Sequence, residues 1–158
     1  MKRLLLSMTC FGFSALSLPA FAATTTGNMD VSAEVIAVCT ITATSLTFSG
    51  YSQTVATDAT ADATAQCTGT SGTLTFTVGD GANFTGGSRR ITDSTNFINY
   101  AVAQTVGGTD LINTDAVPIA VSAATGAGTT TLYGRIPPGQ GNKPAGIYND
   151  TVVLTLTY

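Results

Sequence analysis

The sequence predicts an all-β sandwich, folded as one domain behind a removable N-terminal leader. Three observations predict it. Short segments alternate apolar and polar residues with a period of two, and no stretch of useful length carries a helical period. Gly, Pro, Asn and Asp punctuate those segments at short intervals. Thr supplies about a fifth of the residues after the leader, while charged residues are scarce and Trp is absent, a composition that favours strands.

The leader comes first because it must be set aside. Lys2 and Arg3 form a positive start, Leu4 to Leu18 is an uncharged, mostly apolar run, and Ala20-Phe21-Ala22 is a small-x-small cleavage site. The run is too short to span a bilayer comfortably. Residues 1–22 are therefore expected to be a signal peptide, and Cys10 leaves with it. Of the 158 residues, 136 remain, enough for one domain with a real core.

Removing Lys2 and Arg3 reduces six cationic residues to four (Arg89, Arg90, Arg135, Lys143) against nine acidic ones, a formal charge of −5. No basic patch exists to hold phosphates, which argues against nucleic acid as a partner. Two cysteines survive, Cys39 and Cys67. An even count in an exported chain points to a disulfide, with two free buried thiols as the alternative. Closing that loop would stabilise the fold by about 3.6 kcal/mol in the chain-entropy treatment.

The first segment after the leader has the cleanest pattern. From Asn28 to Val35, Met29, Val31, Ala33 and Val35 share one parity, and Asn28, Asp30, Ser32 and Glu34 share the other. This is a strand with one buried face. It is either the first strand of the protein's own sheet or a tail that completes another sheet. At Ile36 the alternation stops and apolar residues occupy both faces through Ile41.

Further along, Cys39, Ile41 and Ala43 lie on one parity and Leu46 and Phe48 on the other. That phase shift near Thr44-Ser45 predicts a bulge or a change of sheet. Ser52 to Thr64 is rich in Ala, Thr and Asp, and reads as an exposed edge or loop. Thr73 to Val78 is a strand with Leu74, Phe76 and Val78 inward, ended by Gly79-Asp80-Gly81. Arg89 to Thr92 is a short strand, and Ile98, Tyr100 and Val102 mark another. Pro118 opens a strand holding Ile119 and Val121, a position where the missing N–H is tolerated. Thr130 to Ile136 is the next strand, and Pro137 to Gly146 can be neither helix nor central strand. In the last segment Val152, Leu154, Leu156 and Tyr158 share a face. Some seven short strands with a disulfide describe a sandwich of immunoglobulin-like type.

Catalytic chemistry finds few candidates. The sequence has no histidine, which removes Ser-His-Asp triads, Cys-His pairs and histidine metal sites together. A Ser–Lys nucleophile would need Lys143, placed in a Pro/Gly loop. Asp80-Gly81-Ala82-Asn83 lacks the ligand spacing of a calcium loop and reads as a turn. The expectation is a non-enzyme with no cofactor and no metal.

A set of motifs carries a resemblance over essentially the whole mature chain. They are Tyr133-Gly134-Arg135-Ile136-Pro137-Pro138-Gly139-Gln140, Ala145 to Val152, Cys39-Thr40-Ile41, Leu46-Thr47-Phe48, Cys67-Thr68, Arg89-Arg90-Ile91 and Ile98-Asn99-Tyr100. In this order they resemble the spore coat protein U domain family, which includes subunits of archaic, Csu-type chaperone–usher pili. A Trp-containing segment of many members is missing between Tyr100 and Pro118.

The resemblance implies an incomplete immunoglobulin-like sandwich that lacks its last strand and is completed by a donor strand from another subunit. Residues 23–35 would be the donor extension, with Met29, Val31, Ala33 and Val35 as donor residues, and 36–158 the pilin domain. Val152, Leu154, Leu156 and Tyr158 would line the acceptor groove or the core beside it. Implied partners are neighbouring copies or related pilins, a periplasmic chaperone, an outer-membrane usher and a tip adhesin. The implied location is a cell-surface pilus reached through the periplasm, with attachment and biofilm formation as its use. The alternatives are a secreted coat-type structural protein of the same family and a monomeric secreted β-sandwich binding module.

Overall fold

A computed structural model describes residues 21–158, so the body of the expected signal peptide lies outside the described residues. Eight strands follow in order: β1 (Val38–Ala43), β2 (Thr57–Thr68), β3 (Gly72–Val78), β4 (Arg89–Thr92), β5 (Phe97–Ala103), β6 (Val117–Val121), β7 (Ala127–Ile136) and β8 (Leu154–Thr157). Among the described residues there is no helix. All eight strands belong to a compact unit, Glu34–Tyr158.

The strands form two antiparallel sheets. One runs β1-β2-β7-β5-β4 and the other β6-β3-β8. The core between them is made of alternate residues, as a period of two requires. Phe76 and Val78 on β3, Ile98, Tyr100 and Val102 on β5, and Val117, Ile119 and Val121 on β6 are all buried. This is the immunoglobulin-like sandwich that the alternation predicted.

One expectation is corrected. Ser52 to Thr64 is not an exposed edge or loop, because β2 fills most of it and lies between β1 and β7. Its inward residues are Ala61, Ala63, Ala65 and Cys67, all buried, with Asp62, Thr64 and Gln66 on the other parity. Small inward residues carry little hydropathy, so the pattern reads weakly, yet they let the second sheet approach closely.

The register of β1 on β2 places Cys39 opposite Cys67, and the two are joined by a disulfide with Cα atoms 4.1 Å apart. The bridge fastens an edge strand whose other side has no ladder partner. After Ala43 the strand ends, and the Thr44 N–H turns to the Asp62 carbonyl. Neither the bulge nor the change of sheet expected near Thr44-Ser45 is seen: the strand stops, and Leu46 and Phe48 pack against the core from outside any strand.

Candidate functional site

The sandwich is open along one side. A groove of about 640 Å³ lies between the segment Ala43 to Phe48 on one wall and Gly146 to Leu154 on the other. Its floor comes from both sheets, through Ala61, Val78, Tyr100, Val102 and Leu132.

Each wall has a local cause. Gly134 on β7 has no side chain, and a Cβ there would stand 2.6 Å from Leu46 Cδ2 and 2.9 Å from Phe48 Cζ. The glycine lets both side chains lie flat on β7, with the Phe48 ring edge-on to Tyr100 at 6.1 Å. The opposite wall is tied down by Asp150. Its Oδ2 accepts 2.7 Å from the Tyr100 hydroxyl, and its Oδ1 accepts from the Asn83 N–H at 3.1 Å and the Asn83 Nδ2 at 3.0 Å. Burial, followed by the bond to Asp150, pushes the Tyr100 hydroxyl pKa well above its ordinary value. Gly81, at φ 88°, passes beneath the carboxylate, where a side chain would collide with it. The same wall is stitched to β3 by Gly79 N–H to the Val153 carbonyl and Ala82 N–H to the Thr151 carbonyl. It reaches the other sheet through paired bonds between Thr92 and Asn149.

Backbone pairing leaves this side unfinished. Among the described residues β8 pairs only with β3, and β1 only with β2, so each presents an edge without a ladder partner there. At the lip, Ile147 is 80% exposed. An apolar groove flanked by open strand edges is a template for another strand.

The residues singled out from the sequence are placed as follows. Val152 and Leu154 line the groove, Leu156 packs on the core, and Tyr158 is exposed at the end of the chain. Met29, Val31 and Val35 are 83%, 81% and 70% exposed, Ala33 is also exposed, and residues 21–37 form no strand. The alternating segment thus contributes to neither sheet, against the reading of a first strand in the protein's own sheet.

Sequence reasoning missed three residues that shape this site. Asp150 and Gly134 stood out in the sequence only as members of the motifs that carry the resemblance. Arg89, expected only as the first residue of a short strand, is buried at 1% exposure. It donates to Asp110 Oδ1 at 2.7 Å, to the Gly79 carbonyl and to the Val78 carbonyl, both at 2.9 Å. It thereby ties the end of β3 to the 104–116 loop behind the groove floor.

A family model for the Spore Coat Protein U domain matches residues 25–155. The chain belongs to that family. No curated protein matches it. Among solved structures it is similar to a chain of the CsuC–CsuE chaperone–tip adhesion subunit pre-assembly complex from archaic chaperone–usher Csu pili of Acinetobacter baumannii. The TM-score is 0.57 at 17% identity, over 78% of this chain and 40% of that chain. This chain therefore spans less than half the length of that relative. The structural likeness shows a shared fold, and the motifs from Cys39 to Val152 that suggested the family lie within the span its model matches.

Proposed function

We propose that this chain is a structural subunit of a chaperone–usher pilus, polymerised head to tail by donor-strand complementation. The observation that carries the proposal is the pairing of opposites in one chain. An apolar groove lies open beside the unpaired edge of β8, and an alternating segment with Met29, Val31, Ala33 and Val35 on one parity lies outside both sheets. Inserted beside β8 of a second copy, that segment would gain ladder hydrogen bonds and fill successive apolar pockets. Each buried Val or Met is worth about 1.5–3 kcal/mol, with less from Ala33. Donor and acceptor are different surfaces, so the contact is heterologous and propagates instead of closing on itself. Family membership supports the reading, as does the likeness to a pilus subunit in complex with a chaperone.

In this reading a periplasmic chaperone covers the groove before assembly, an outer-membrane usher exchanges chaperone for subunit, and the product is a surface pilus for attachment and biofilm formation. The subunit's own role is mechanical linkage.

The test is periplasmic expression of the full chain, followed by unheated denaturing electrophoresis. A ladder of oligomers that collapses on boiling, and is lost on deleting residues 23–35 or in Val31→Asp, is the expected result. A stable monomer from the full chain, or a wild-type ladder from Val31→Asp, would count decisively against donor exchange.

A further inference from the structure

The groove does not end at Tyr148. A second chamber of about 300 Å³ continues it, sharing Phe48, Ile91, Gly146 and Tyr148 with the first. One wall advances from Ala43 through Phe48 to Tyr51, and the other retreats from Leu154 through Tyr148 to Lys143. The far end of this channel is lined by Ile91, Ile98, Ile136 and the two tyrosines Tyr51 and Tyr148, with one cationic group, Lys143.

Lys143 differs from the other cations of the domain. Arg89 is paired with Asp110, Arg135 with Asp58, and Arg90 stacks over the Phe97 ring at 4.1 Å. Lys143 is half-buried, and among the described residues its ammonium has neither a salt bridge nor a hydrogen-bond partner. Its loop is nevertheless held on both sides. The Tyr51 hydroxyl donates to the Gly141 carbonyl at 2.9 Å, and the Tyr148 hydroxyl donates to the Pro144 carbonyl at 3.0 Å. An unpaired ammonium carried by a tethered loop at the rim of the chamber is a site for an incoming carboxylate.

The proposed donor is complementary. Residues 23–38 carry two carboxylates, Asp30 and Glu34, and no cation. Both belong to the polar parity, which faces the mouth of the groove, and a lysine whose stem lines the chamber can carry its ammonium out to that mouth. The direction of insertion decides which of them meets Lys143. Every ladder in this domain is antiparallel, the more stable pairing per residue. The chain from Lys143 to Thr157 runs from the chamber toward the C-terminal end of β8. A strand antiparallel to it therefore brings its own C-terminal residues, Glu34 and Val35, to the chamber. Asp30, four residues back, would stand about 13 Å away along the strand.

We infer that Lys143 receives the Glu34 carboxylate of the inserting copy and so fixes the direction and register of the donor strand. The inference rests on the donor-strand reading above and adds an electrostatic latch that the apolar pockets cannot supply, since alternating Met, Val and Ala would fit in either direction.

Charge exchange tests it in full-length mature protein, with the rate of ladder growth at low salt as the readout. Lys143→Glu and Glu34→Lys should each slow growth by about two- to fivefold, an effect that shrinks at high salt. The double variant should regain the wild-type rate. Lys143→Met serves as a second acceptor variant without a reversed charge, and Glu34→Lys lies outside both sheets, so neither relies on a disturbed core. Single variants that grow like wild type, or a double variant that stays slow, would overturn the latch while leaving donor exchange standing. Recovery by Asp30→Lys with Lys143→Glu in place of the Glu34 pair would overturn the direction assigned. Failure of the parent reading has its own signature, namely a ladder that survives Val31→Asp.

Discussion

The Tyr100 hydroxyl donates a 2.7 Å hydrogen bond to Asp150, joining the middle of β5 to the segment that precedes β8. One end of this bond belongs to the groove floor and the other to its wall. It therefore ties the two sheets together across the groove. The same carboxylate accepts from the Asn83 N–H and Nδ2, so its removal would leave the Tyr100 hydroxyl and the Asn83 N–H without this acceptor and Nδ2 with the Asn149 carbonyl alone.

Tyr100→Phe deletes one of those bonds and keeps the ring. Hydrogen bonds to charged groups are worth about 1.5–3 kcal/mol, and the expected loss in urea denaturation is near the lower end of that range. Asp150→Ala should cost more than Tyr100→Phe, because the Asn83 donors also lose this acceptor. Equal losses in the two variants would mean that Asn83 finds another partner and that Asp150 is not the wall's anchor.

Arg89→Met replaces a buried guanidinium with an apolar chain of similar length. It leaves the Val78, Gly79 and Leu111 carbonyls and Asp110 without their Arg89 donor, and Asp110 retains only the Val102 N–H. Breaking such a buried pair typically costs about 3–5 kcal/mol, and a loss at the lower end is expected because Asp110 is partly exposed. Chemical denaturation measures it. A midpoint within experimental error of wild type would show that the 104–116 loop is positioned by other contacts.

Asp93 governs an acid-sensitive turn between β4 and β5. Its carboxylate accepts the Asn96 N–H first, then the Asn96 side-chain amide and the Thr95 N–H, and these bonds hold its pKa down at about 2 from an ordinary 3.8. A depressed folded-state pKa gives stability that is present above the unfolded value and lost as pH falls through the folded one. Wild type should therefore exceed Asp93→Asn in Tm at pH 5, with the gap narrowing between about pH 3.8 and pH 2. A gap independent of pH would assign the difference to something other than this carboxylate's ionisation.

The legible parts of the fold were those with local causes. Leu74-x-Phe76-x-Val78 and Ile98-x-Tyr100-x-Val102 announce their inward faces because alternation is imposed residue by residue along a strand. Pro118 and the Pro137–Gly146 loop were legible because a missing N–H and a fixed φ act on the chain itself. β2 was not, since its inward Ala61, Ala63 and Ala65 are buried by neighbours that approach across the sandwich, and small residues advertise no such burial.

For the candidate site, the sequence by itself determined the alternation from Asn28 to Val35, the pair Cys39 and Cys67, and the apolar face that includes Val152 and Leu154. Only the tertiary structure decided that the alternating segment joins neither sheet, that β1 and β8 keep open edges among the described residues, and that a channel runs between the segment after β1 and the segment before β8 to Lys143. The physical reason is one of range. A strand's inward face follows from neighbours two residues apart, whereas a missing strand is a gap bounded by residues about a hundred positions apart, such as Phe48 and Tyr148, and no short stretch of sequence records it.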